Sequence, residues 1–224
     1  MKLLYAPTSP FVRKVMVCAL ITGLADRIQW LDSAAHPINR DARIAAHNPL
    51  AKVPTLILDD GPGLDGPGLD GPGLDGPGRA SQALYDSRVI CEYLADLAGN
   101  AHLFPPAGAK RWTALTQQAT GDGLLDAALL ARYEHTARPE DKQWTAWREA
   151  QLVKVQAALA TIETLAPSLQ CVDPSIGDIT LGCALGYLDF RYPELDWRAD
   201  HPLAAKWFAA FNALPAMQAT LPHA

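Results

Sequence analysis

The chain opens on a short apolar run, residues 2–5 (KLLY), which Pro7 and Pro10 bring to an end. An apolar run bounded by breakers predicts a strand. From Pro10 the period changes: Phe11, Val15, Cys18 and Ala19 recur at spacings of three to four, as do Val12, Met16 and Leu20. That pattern predicts a helix, with Gly23 at its end. Residues 28–31 predict a second strand and residues 39–47 a short helix. Two more strands are expected at 53–58 and 82–85, then a helix over 87–98 with Val89, Ile90, Tyr93, Leu94 and Leu97 on its apolar face. Past residues 99–108 strand patterns nearly vanish, and long helices are expected at 109–134, 139–165, 176–190 and 200–214.

The order β-α-β-α-β-β-α is the thioredoxin arrangement. Helical crossovers are expected to make the first strand pairs parallel and right-handed, and the last pair a hairpin. Pro105 and Pro106 mark a junction. The expected architecture is therefore an α/β thioredoxin-like domain over 1–98 followed by an all-α helical bundle over 106–224. One segment stands apart: residues 61–78 read GPGLD three times and then GPG. Two glycines and a proline in each unit cannot sustain a helix or strand. Calcium-binding repeats need longer units with a different placement of glycine and aspartate, so the expectation is a mobile loop expansion. Loop-closure entropy makes such lengthening cheap, about 0.6 kcal/mol per doubling.

Composition narrows the partners. Hydrophobic residues make up 49% of the 224 and charged residues 19%, an ordinary globular balance. A net charge of −5 gives no electrostatic reason to expect nucleic acid or an anionic membrane. Cys18, Cys91, Cys171 and Cys183 form no CxxC pair, and three of them fall inside apolar helical patterns. They read as small buried hydrophobes in a reducing compartment, which with the interrupted N-terminal apolar run predicts a cytoplasmic protein. The six histidines show no metal-ligand spacing, and no metal is expected.

Candidate chemistry collects at three junctions. Ser9 precedes Pro10 at the start of the first helix, an N-cap with proline at the first helical position. Unpaired N–H groups and the positive helix end favour an anion there, and a serine hydroxyl can donate to a thiolate. Lowering a thiol pKa by about two units from its ordinary value takes roughly 2.7 kcal/mol, within reach of one charge-assisted hydrogen bond and a helix terminus. Val53-Pro54 opens a strand. A proline there suits a cis turn, which leaves the Val53 backbone free to pair with an extended peptide. Asp86-Ser87 caps the helix after the last strand, offering N–H donors to a carboxylate and a carboxylate to an amine.

These junctions occur in one order: Ser9-Pro-Phe-Val-Arg-Lys14, Asn48-Pro-Leu-Ala-Lys-Val-Pro54, Asp86-Ser-Arg-Val-Ile90, then Ser175-Ile-Gly-Asp178. With them the sequence resembles the glutathione transferase superfamily across essentially its whole length. The last motif is a capping box for a central buried helix, a folding element. The resemblance implies that Ser9 activates the thiol of glutathione, with Thr8 the alternative hydroxyl and Phe11 beside them in the binding set. It also implies that Val53, before a cis-Pro54, pairs with the cysteinyl backbone. Asp86 and Ser87 would then hold the γ-glutamyl end, and Lys52 would approach the glycyl carboxylate. The lack of a cysteine at 8–11 argues against thiol–disulfide chemistry. The implied activity is attack of glutathione on a hydrophobic electrophile in a detoxifying, homodimeric transferase. The alternatives are a glutathione-dependent isomerase, lyase or dehalogenase, or a non-catalytic glutathione-binding scaffold. Trp112, Tyr133 and Tyr187 are the candidates to line the electrophile pocket, while Trp144, Trp147, Trp197 and Trp207 are expected to pack.

Overall fold

The computed structural model describes residues 1–58 and 82–223; the GPGLD repeat, expected as a loop, lies outside them. Four strands form one mixed sheet in the order β2-β1-β3-β4: β1 (Lys2–Tyr5), β2 (Gln29–Asp32), β3 (Thr55–Ile57) and β4 (Ala83–Leu84). β1 and β2 run parallel, with Tyr5 opposite Asp32, and β3–β4 is the expected antiparallel pair. β3, however, runs antiparallel to β1, with Leu4 opposite Thr55, which corrects the expectation of parallel pairs throughout the first three strands. The reason is where the connection lands. β2 ends at Asp32, and the chain re-enters the sheet at Thr55 on the same end. Residues 33–54, with the single turn α2 (Ala42–Ala45), therefore form a return loop and not a crossover.

Side chains alternate across the pleat. Leu3 and Leu56 join the main core with Val15 and Cys18 of α1 (Pro10–Ile21) and Ile90, Cys91 and Leu94 of α3 (Ser87–Leu97). Leu4 and Ile57 face the other way and pack with Ile44 of α2. Cys18, Cys91 and Cys183 are buried and free, and burial raises the thiol pKa of Cys18 and Cys183.

The helical part comprises α4 (Ala109–Thr136), α5 (Thr145–Leu165), α6 (Ile176–Arg191), α7 (Trp197–Asp200), α8 (Pro202–Asn212) and α9 (Pro215–Gln218). Two helix boundaries differ from those the periodicity predicts, each for a local reason. α5 begins at 145, not 139, because the buried Glu134 carboxylate on α4 accepts the Trp144 N–H at 2.8 Å and fixes the first turn there. The helix expected over 200–214 is split at Pro202, which brings no N–H of its own. The Glu163 carboxylate of α5 accepts the Leu203 and Ala204 N–H groups at 3.0 and 2.8 Å and caps α8.

α6 is the centre of this half, buried from Ile176 through Leu188. Its start is the capping box foreseen from Ser175 and Asp178. Asp178 N–H donates to Ser175 Oγ at 3.3 Å, and the Asp178 carboxylate accepts the Ser175 N–H at 2.8 Å and the Gln170 N–H at 2.9 Å. Asp178→Ala leaves these partly buried donors without the carboxylate and is expected to cost about 1–2 kcal/mol in urea unfolding; a loss below about 0.5 kcal/mol would contradict the assignment. The expected packing of Trp197 and Trp207 is observed, whereas Trp144 is 64% exposed at the start of α5.

Candidate active site

The first helix begins as its sequence dictates. Ser9 has extended backbone (φ −83°, ψ 122°), its Oγ accepts the Val12 N–H at 3.3 Å, and Pro10 takes the first helical position. The cap uses a lone pair of the hydroxyl and leaves its proton free to donate outward. Neither the Ser9 nor the Thr8 hydroxyl donates to an acceptor among the described residues. Both line a small cavity of about 10 Å³, closed on the far side by Cys183 and Tyr187 of α6 and by Arg13. The thiol-activating candidates thus stand where the sheet domain meets the helical bundle. Phe11, next to Ser9, is half-buried.

Val53–Pro54 is a cis peptide bond. The turn before it is held by two buried polar side chains: Asn48, which opens the motif but to which the sequence assigns no role, and Thr55. Asn48 Nδ2 donates to the Lys52 carbonyl at 3.1 Å and to Thr55 Oγ1 at 3.0 Å, and the Thr55 hydroxyl donates to the same carbonyl at 2.8 Å. Val53 itself makes no backbone hydrogen bond among the described residues, so its N–H and C=O remain available at the sheet end. Lys52 is exposed.

Asp86 caps α3 by accepting the Arg88 N–H at 2.9 Å. Ser87 is buried, yet its hydroxyl has no partner among the described residues. Arg88 reaches Asp122 on α4 with Nε at 2.8 Å, and the other Asp122 oxygen takes the fully buried Lys14 ammonium of α1 at 2.6 Å. One carboxylate therefore ties α1, α3 and α4 together behind the candidate site. One turn further on, Asp126 feels this cluster. Burial raises its pKa, the Asp122 charge adds to that, and Arg88 and Lys52 pull it back. Asp126 thus belongs with Lys52, Asp86 and Arg88 at one end of the site. Lys14 and Asp122 were legible in principle, because each is a charge set within an otherwise apolar helical stripe.

Of the aromatic candidates, Tyr187 lines the cavity beside Ser9, and burial pushes its hydroxyl up to about 12. Tyr133 is half-buried nearby on α4, its pKa also raised by burial. Trp112 is 66% exposed and lines neither described cavity. A larger cavity, about 780 Å³, lies on the other face of the sheet between Trp30, Arg43 and Ile57, and none of the candidate residues reaches it. Among the described residues no group of His, Cys, Asp and Glu could hold a metal, and no helix is long and apolar enough to cross a membrane.

A thioredoxin-like sheet, with a capped helix start and a cis-proline strand end set against an all-helical C-terminal domain, defines the glutathione transferase architecture. The comparisons agree. Residues 8–97 match the glutathione S-transferase N-terminal domain and residues 145–210 the C-terminal domain. A crystal structure of a glutathione transferase family member from Pseudomonas fluorescens Pf-5, with bound glutathione, is 39% identical with TM-score 0.87, covering 100% of this chain and 99% of that one. A structure of a family member from the same organism with bound S-(propanoic acid)-glutathione is 38% identical, with TM-score 0.83 and 100% of both chains covered. The uncharacterized GST-like protein YibF of Escherichia coli (strain K12) is 28% identical over 208 residues, 92% of this chain and 91% of the relative. The chain belongs to the glutathione transferase superfamily.

Proposed function

We propose that this protein is a glutathione transferase in which Ser9 stabilises the glutathione thiolate for attack on a small electrophile. The observation that carries the reading is the Ser9 hydroxyl. It is engaged as acceptor by its own helix and free as donor, and it faces a cavity shared with α6. Thr8, with an unengaged hydroxyl in the same cavity, is the alternative thiol partner. The unpaired Val53 backbone before cis-Pro54 takes the cysteinyl residue as an added strand. Asp86 meets the γ-glutamyl amine, and the start of α3 with the unpartnered Ser87 hydroxyl meets its carboxylate. The exposed Lys52 answers the glycyl carboxylate, and Phe11, next to Ser9, completes the binding set. The relatives with glutathione and with S-(propanoic acid)-glutathione bound support a site that accepts both the tripeptide and a substituent on its sulfur.

In this reading acceleration comes from thiolate stabilisation and from orientation of the two reactants. The protein works in the cytoplasm as a homodimer, with a glutathione-binding domain over 1–98 and a helical domain over 106–224. Calorimetric titration with glutathione, followed by turnover on a panel of electrophiles, tests the function. Binding and conjugation are expected together. Binding without turnover of any electrophile would instead make the protein a glutathione-binding scaffold, and a monomeric mass in solution would remove the dimer.

A further inference from the structure

Arg132 of α4 and Arg191 of α6 carry two positive charges with no carboxylate partner among the described residues. α4 and α6 run side by side in the same direction, with Gln117 against Gly177 and Gly121 against Thr180. Eleven residues on from Gly121 and Thr180, the same register brings Arg132 of α4 level with Arg191 of α6. Neither guanidinium makes an ion pair or hydrogen bond among the described residues, and both are only half exposed. Among the other arginines of the helical bundle, Arg111 pairs with Glu92, Arg138 with Glu134 and Arg198 with Asp189, while Arg148 of α5 also lacks an ion pair among the described residues.

The Arg191 guanidinium carbon lies over the Phe190 ring, 4.0 Å from its centroid, and its N–H groups make no hydrogen bond among the described residues. It also stands in line with the reactive end of the site. Cys183, Tyr187 and Arg191 follow one another at four-residue spacing on one face of α6, and the first two line the Ser9 cavity. One helical turn, about 5.4 Å, separates Tyr187 from Arg191, a gap an arginine side chain spans. The Tyr133 and Tyr187 hydroxyls have no partners among the described residues. Burial together with Arg132 holds the Arg191 pKa below its ordinary value, as two like charges in a partly dry site must, though a guanidinium stays charged at any physiological pH.

We propose that Arg132 and Arg191, with the Tyr133 and Tyr187 hydroxyls, receive a carboxylate carried by the electrophile, so that the second substrate is a small organic acid. The inference rests on the glutathione reading above and gives its second substrate a chemical class. A planar carboxylate matches the guanidinium fork, and desolvated paired charges are worth more than the same contact in water. For an α,β-unsaturated acid the pair also acts on the reaction. The thiolate sulfur bonds to the β-carbon, the π pair moves onto the α-carbon and carboxylate, and the α-carbon then takes one proton from water. The two guanidiniums stabilise the charge that gathers on the carboxylate, and nothing is oxidised or reduced.

The test is a set of binding titrations with glutathione, S-propylglutathione and S-(2-carboxyethyl)glutathione, on the wild-type protein and on Arg132→Leu, Arg191→Leu and Arg191→Gln. Circular dichroism checks that each variant is folded. The wild type is expected to bind the carboxyethyl adduct at least about tenfold tighter than the propyl adduct. Each substitution should shrink that preference to within about threefold while leaving glutathione affinity within about twofold. Arg191→Gln keeps most of the side-chain length and serves where the leucine variant does not fold. Equal binding of the two adducts by the wild type overturns the proposal, and so does a preference that survives the substitutions. Equal weakening of glutathione itself also overturns it, since the pair would then be holding the glycyl carboxylate. A wild type that binds none of the three compounds overturns the glutathione reading together with this one.

Discussion

Asp122→Leu is expected to destabilise the protein by about 3–5 kcal/mol, the loss seen when one partner of a buried ion pair is removed. Lys14 is fully buried and its ammonium has Asp122 at 2.6 Å. Without that carboxylate the lysine must either keep an unpaired charge in the core or give up its proton, and both are costly. Arg88 suffers less, because half of its side chain is exposed and can turn to water. The combined Lys14→Met, Asp122→Leu variant removes both buried charges and keeps the volume, so it should recover most of the loss. Urea unfolding of the two variants checks this. A single-variant loss under about 1 kcal/mol, or a double variant no better than the single, would show that water or another acid already compensates Lys14.

The second large effect concerns Ser9. In the proposed role, removal of its hydroxyl is expected to take from the bound thiolate one hydrogen bond to a charged group, worth about 1.5–3 kcal/mol, or roughly 10–100-fold in turnover. The same loss raises the pKa of bound glutathione by about one to two pH units, which thiolate absorbance reads directly. Ser9→Ala also removes a helix cap, a stability cost of about 1 kcal/mol. The diagnostic is therefore the thiol titration and not activity alone, since a loosened cap does not by itself protonate the sulfur. Should Thr8→Ala raise the thiol pKa while Ser9→Ala leaves it in place, the two neighbours exchange roles.

Much of this was legible in the sequence because it is written in local chemistry. Ser9-Pro10, Asp86-Ser87 and Ser175–Asp178 start helices at the positions their side chains dictate, and all three caps are present. Two helix boundaries were not legible, because the capping groups come from elsewhere: Glu134 reaches Trp144 from the preceding helix, and Glu163 reaches α8 from forty residues away. The direction of β3 is likewise nonlocal, since it depends on which end of the sheet the return loop finds. In the candidate site, the residues at helix and strand starts could be named from motifs. The part Asn48 and Thr55 play in holding the turn before Pro54 could not be read, although Asn48 opens the quoted motif, because it rests on one buried amide in a loop. Arg132 and Arg191 were invisible for another reason: fifty-nine residues apart, they become neighbours only once α4 and α6 take their register.

That register is set by closeness. Gly177 of α6 leaves no room for a side chain beside Gln117 and the Ala114 carbonyl, and Gly121 of α4 is tight against the Thr180 backbone; elsewhere on α6, Gly182 packs against Phe211. A helix filled in on every side has no idle surface on which variation can accumulate. Over the buried length of α6, a change of side chain is a change of packing. Freedom to diversify is confined to the last turn, where Phe190 and Arg191 emerge, and to the facing edge of α4. The packing thus leaves room for new side chains at a few positions at one end of α6 and holds the other end constant.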